Sequence, residues 1–210
     1  MSMRGFFILS GQMVNIGVDF DDTLSDRMSV KKKLIEEHYG RDVDPFFVRG
    51  RNSVDLIGEE TFSQIMDFLE GRREGVFETK PIPYSLEILG RFFSQSFGLY
   101  LISTTSHERM NWIRDWLSSY GISDYFSGFE TTNISQFATS KEGVCDRLGI
   151  DFLVDNEQRN FTFLNSNLRR VLFSQNGETN DSRLYLARDW RDVYRIVKAP
   201  PPGFEPGSQG

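Results

Sequence analysis

The chain has few of the residues that cross-link, span membranes or bind metals through nitrogen and sulfur. Cys145 is the only cysteine in 210 residues; no intrachain disulfide framework is possible, which fits a reducing cytoplasm. The only two histidines, His38 and His107, are too isolated in the sequence to suggest a metal site. No apolar run approaches the ~20 residues of a membrane span. The apolar patch at 5–9 is shorter than the ~7–15 residues of a secretory h-region. Positive charge is also in deficit: 24 Lys and Arg stand against 30 Asp and Glu, a net charge of −6. Bulk electrostatics therefore disfavour a nucleic-acid polymer or an anionic membrane as partner.

What is present is an alternation. Four short apolar runs, 14–18, 99–102, 152–154 and 171–173, are expected to be buried strands. Helical spacings separate them: Leu86, Leu89, Phe93 and Phe97; then Met110, Ile113, Trp116, Leu117 and Tyr120; then Val144, Cys145 and Leu148. Thr105 and Glu108 form a capping-box pattern ahead of the second of these helices. Strands alternating with helices imply an α/β fold, a doubly wound parallel sheet. Residues 13–25 and 81–198 are assigned to this core. The interval 26–80 breaks the alternation, with one helical stripe of Val30, Leu34, Ile35 and His38 and another of Phe62, Ile65, Met66 and Leu69. It is expected to be a small helical cap inserted after the first strand, placed to act as a lid. Its Phe46, Phe47, Arg49 and Arg51 are expected to pack the lid and meet solvent, with base stacking as the alternative. Residues 1–12 are expected to be an N-terminal extension, and the Pro- and Gly-rich 199–210 a disordered tail.

In such sheets ligands bind beyond the carboxyl ends of the strands. The polar residues that end the strands are therefore candidates: Asp19 after the first, Ser103 or Thr104 after the second, Asp155 after the third. Asp19 and Asp21 are separated by one residue and followed by Thr23. Burying two carboxylates there is costly unless they bind a cation or do chemistry. Paired carboxylates with separate roles, nucleophile and acid/base, serve transfer reactions well. Lys141 opens a later helix, where a cation gains nothing from the helix dipole.

In order and spacing these residues resemble the haloacid dehalogenase (HAD) superfamily of phosphohydrolases over roughly residues 14–197. Asp19, Asp21 and Thr23 match its first motif, Ser103 the second, Lys141 the third and Asp155 the fourth. The resemblance implies a Rossmann-like core and Mg²⁺ held by Asp19, the Asp21 main-chain carbonyl, Asp155 and Asn156. It further implies that Asp19 is the nucleophile and Asp21 the acid/base. Ser103 would donate to a phosphoryl oxygen, and Lys141 would hold Asp19. Asn156 departs from the pattern, since the fourth motif usually carries a second acidic residue near the first. The cap return at 76–84 and the segment 187–194 are similar to the 5′(3′)-deoxyribonucleotidase branch. The expected activity is Mg²⁺-dependent hydrolysis of a small phosphorylated metabolite through an aspartyl-phosphate, nucleotidase-like in its most specific form. A phosphotransferase and a non-catalytic HAD-fold binding protein are the alternatives.

Overall fold

The computed structural model describes residues 13–132, 139–161, 168–174, 177, 179 and 181–199. The expected extension at 1–12, the tail from 200 onward and the side chain of Phe46 lie outside the described residues.

Six strands form one sheet: β1 (Asn15–Val18), β2 (Gly98–Ser103), β3 (Phe126–Thr131), β4 (Phe152–Asp155), β5 (Arg169–Phe173) and β6 (Leu184–Ala187). Every neighbouring pair is parallel, and the spatial order is β3-β2-β1-β4-β5-β6. The order reverses at β1, so the crevice beyond the carboxyl ends of β1 and β4 is the natural ligand position. Four strands coincide with the expected apolar runs; β3 and β6 are additions at the two edges of the sheet.

After β1 come α1 (Arg27–Tyr39), α2 (Pro45–Val48), α3 (Val54–Gly71) and α4 (Arg73–Phe77). Then follow α5 (Ser85–Ser94), α6 (His107–Ser119), α7 (Lys141–Leu148) and α8 (Trp190–Lys198). Helices cover both faces of the sheet. Ile16, Val18, Leu99, Leu101, Phe152 and Val154 point into one core shared with α5, α6 and α8. Ile102, Leu153 and Leu172 point to the other face, against Val144 and Cys145 of α7. This alternation follows from the two-residue period of a strand. On this face β1 has no room for a side chain at Gly17: a Cβ there would lie 2.8 Å from Ile102 Cδ1 of β2 and 3.3 Å from Leu153 Cδ1 of β4.

The insertion has an apolar cluster of its own, including Ile35, Val48, Phe62, Ile65 and Leu69. Its root is closed by main-chain bonds from Asp26 N to Lys80 O (2.8 Å) and from Ile82 N to Leu24 O (2.9 Å). Helix α3 is interrupted at Gly58, whose φ of 75° is open to glycine. Helix α4 packs through Val76 on the main core. Among the described residues no helix is long and apolar enough to cross a membrane.

Two local expectations are corrected. The buried face of α5 is Ser85, Ile88, Leu89 and Phe92; Phe93 is 47 % exposed, and Phe97 lies beyond the helix. Phe92 and Phe93 are adjacent, so spacing alone could not choose between them; packing against β2 and α8 selects Phe92. Helix α6 is capped by Ser106, whose hydroxyl accepts from Arg109 N at 3.1 Å, instead of by a Thr105–Glu108 box. Thr105 sits one residue too early and lines the site instead.

Candidate active site

The first strand delivers its carboxylate while still bonded to the sheet: Asp19 N donates to Val154 O at 2.9 Å. The chain then turns sharply. The Phe20 carbonyl accepts from Leu24 N and Ser25 N, each at 2.9 Å. Asp22 occupies the left-handed region at φ 57°, which Asp tolerates better than most residues. Its carboxylate accepts from Met28 N at 2.6 Å, anchoring the turn to the start of α1. Thr23 is fully buried; its carbonyl accepts from Trp190 Nε1 of α8 at 2.9 Å, and its hydroxyl has no partner among the described residues.

Lys141, the first residue of α7, is 3 % exposed and bonds Asp19 Oδ1 and Asp155 Oδ2, each at 2.6 Å. Ser140 caps that helix by accepting from Gly143 N at 3.1 Å. Asp155 is fully buried and accepts further bonds from Glu157 N at 2.8 Å and from Asn160 Nδ2 at 3.0 and 2.9 Å. Burial lifts the Asp19 carboxyl to about 7, with Lys141 opposing and Asp155 and Asp21 adding to the rise. Burial alone would lower the Lys141 ammonium; Asp155 and Asp19 outweigh it and raise it above its ordinary value.

Asp21 has different company. Arg109 of α6 grips it with both terminal nitrogens, Nη1 to Oδ2 and Nη2 to Oδ1, each at 2.8 Å. Arg27, the first residue of α1, approaches Asp21 at 3.8 Å and Asp22 at 3.6 Å, and bonds Glu70 of α3 at 2.7 Å. Burial would push the Asp21 carboxyl up, but Arg27 and Arg109 overcome it and hold it below the usual range. Burial pushes the neighbouring Asp22 up to about 6.

Asp19, Asp21, Arg27, Arg109 and Lys141 line one cleft of about 430 Å³, together with Ser103, Thr104 and Asn156. All six sequence-nominated residues, Asp19, Asp21, Ser103, Lys141, Asp155 and Asn156, are thus gathered at the carboxyl end of the sheet, with Asp155 just beneath the surface. Of the two candidate hydroxyls, Thr104 is paired with Thr132 Oγ1 at 2.9 Å, whereas Ser103 makes no side-chain hydrogen bond among the described residues. Sequence reasoning missed Arg27, Arg109 and Asn160. For the two arginines a signal existed: each is a cation in the first turn of a helix, where the dipole disfavours it, as it does Lys141.

The oxygen donors suit a hard cation. Among the described residues no cluster of three His, Cys, Asp or Glu side chains forms a metal cage. Two carboxylates, Asp19 and Asp155, instead converge on one Nζ. Mg²⁺ is commonly held by only one or two carboxylates and keeps several waters. The residues present therefore fit Mg²⁺, although Lys141 and Asn160 already engage both oxygens of Asp155.

No protein-family model matches the sequence, and no curated protein matches it. Solved structures do match its fold. A predicted phosphoglycolate phosphatase from Haemophilus somnus 129PT superposes with a TM-score of 0.62 at 16 % identity, covering 89 % of this chain and 98 % of that one. A HAD-superfamily hydrolase of subfamily IA from Geobacter sulfurreducens gives 0.59 at 13 %, covering 88 % and 96 %. The HAD-hydrolase YfnB from Bacillus subtilis, bound to magnesium, gives 0.58 at 13 %, covering 90 % and 100 %. The chain has the haloacid dehalogenase fold, a Rossmann-like parallel core with a helical cap inserted after β1.

Proposed function

We propose that the chain is a HAD-type phosphohydrolase that hydrolyses a small phosphate monoester through an aspartyl-phosphate on Asp19. One observation carries this reading: a buried carboxylate at the end of the central strand, held by a buried lysine that also holds a second carboxylate. Such a group is expensive to maintain as mere structure.

In the first half-reaction an oxygen of Asp19 attacks phosphorus as the bond to the leaving oxygen breaks, and that oxygen takes a proton from Asp21, whose carboxyl must first acquire one as its contacts with Arg109 and Arg27 are given up. In the second half, water attacks phosphorus, Asp21 takes its proton, and the bond to Asp19 breaks with release of inorganic phosphate. Lys141 holds Asp19 in line and offsets charge on the phosphoryl oxygens. Ser103, whose hydroxyl is unengaged, donates to one of those oxygens. Mg²⁺ would be held by Asp19, Asp155, the Asp21 main-chain carbonyl and Asn156, and when bound supplies charge neutralisation between the carboxylates and the phosphate dianion. Among the described residues no aromatic side chain lines the cleft, so nothing there favours a nucleotide base over other leaving groups.

The test is phosphate release from p-nitrophenyl phosphate, with Mg²⁺ and with EDTA, comparing the native chain with Asp19→Asn. Metal-dependent release that disappears in the variant, with an acid-stable mass increase of one phosphoryl group trapped only on the native chain, supports the reading. Full activity in Asp19→Asn overturns it. A phosphotransferase would differ in one respect: added alcohol would divert the phosphoryl group from water to a new ester.

A further inference from the structure

The proposed reaction gives Arg109 no task, yet the structure invests heavily in it. Its side chain is 4 % exposed. It sits in the first turn of α6, where the helix dipole opposes a cation. Its Nε is buried and has no hydrogen-bond partner among the described residues. A buried guanidinium is costly unless its charge and donors are used. Here both terminal nitrogens are spent on Asp21, which occupies the two carboxylate oxygens that a departing alkoxide must reach. The N-terminal turns of α1, α6 and α7 all line the cleft and carry Arg27, Arg109 and Lys141 respectively. That wall of the cleft therefore presents three side-chain cations and three helix N-termini.

Resting on the phosphatase reading, we infer that Arg109 is a specificity-determining residue that takes a second anionic group carried on the leaving alcohol of the substrate. The planar guanidinium fork matches a carboxylate or phosphate as well as it matches Asp21. Binding is then an exchange of one anion for another on the same fork. The exchange releases Asp21 toward the leaving oxygen in the same event. Arg27, 3.8 Å from Asp21, adds positive charge beside the fork. A monoester without a second anion leaves Arg109 on Asp21 and is turned over poorly. The substrate class is a phosphorylated short hydroxy acid or a small bisphosphate.

The experiment compares kcat/KM of the full chain with Mg²⁺ on phosphoglycolate, ethanediol bisphosphate and ethyl phosphate, whose leaving alcohols carry a carboxylate, a phosphate set two bonds further out, and no anion. A preference of about 10- to 100-fold over ethyl phosphate is expected for one of the two anionic leaving groups, the scale of a charge-assisted hydrogen bond. Which of the two is favoured identifies the anion. The preference should collapse in Arg109→Gln, or in Arg109→Lys if the first variant fails to fold, because an ammonium lacks the fork. Equal kcat/KM on all three substrates in the native chain overturns the inference, and so does a preference that survives loss of Arg109. If the native chain releases phosphate from no ester, the phosphatase reading fails separately. Calorimetric titration then decides the inference: tighter binding of phosphoglycolate than of ethyl phosphate sustains it, and equal affinity overturns it.

Discussion

Replacing Asp19 by Asn should abolish turnover and at the same time make the metal-free protein more stable, by an amount that depends on pH. The folded carboxyl titrates at about 7 because it is buried, against an unfolded value of about 3.9. Between these values the folded state keeps its proton while the unfolded state has released it. The unfolded state thus binds fewer protons, and native stability falls by about 1.4 kcal/mol per pH unit from about pH 4 to about pH 7, then levels off. Asparagine has nearly the same shape and no charge to desolvate, and Lys141 keeps Asp155 as its partner. The advantage of Asp19→Asn should therefore widen by about 3 kcal/mol between pH 5 and pH 8. The assay is urea unfolding in EDTA at four pH values across that range, with the slope m compared between the two proteins to verify that they unfold alike. A variant less stable than the native chain at pH 8, or a gap that does not move with pH, would refute the idea that the site strains against its own burial. Saturating Mg²⁺ should shrink the gap, because a cation that binds the folded native chain stabilises it by mass action.

Three further outcomes are expected. Lys141→Met leaves Asp19 and Asp155 buried with no cation between them, so a loss of about 3–5 kcal/mol is expected at pH 8 by denaturant unfolding; mild acid should restore part of it. Trp190→Phe removes the bond to the Thr23 carbonyl and leaves that buried oxygen unpaired, a cost of about 1–3 kcal/mol read as a lower Tm. Gly75→Ala would place a Cβ 2.0 Å from the Phe68 carbonyl oxygen, so α3 and α4 must separate; a loss of more than about 2 kcal/mol is expected in the melting profile.

Four strands were legible because they are interior and buried on both faces: β1, β2, β4 and β5 are near-continuous runs of Val, Leu, Ile and Phe. The edge strands were not. In β3, Phe-Ser-Gly-Phe-Glu-Thr, only Phe126 is buried, and β6 is four residues long with Tyr185 turned outward. An edge strand is defined by one neighbour's hydrogen bonds, and nothing in its own composition needs to announce it. Asp19, Ser103 and Asp155 could be placed because a polar residue closing an apolar run must lie at a strand end. Arg109 could not, because what makes it part of the cleft is the packing of α6 beside the turn after β1, a relation between segments 88 residues apart. Asn160 is similar: an asparagine in a loop carries no mark until the chain after β4 folds back over Asp155.

The bond from Trp190 to the Thr23 carbonyl joins positions 167 residues apart and ties α8 to the turn that carries both aspartates. During synthesis Asp19 is made well before Trp190, and the turn after β1 waits for α8 before that carbonyl is satisfied. Domains fold as units as they emerge, and long-range closures come late. The fold therefore provides its own timing: a nascent chain carries Asp19 and Asp21 in a loop not yet fastened until Trp190 has been made and α8 has docked.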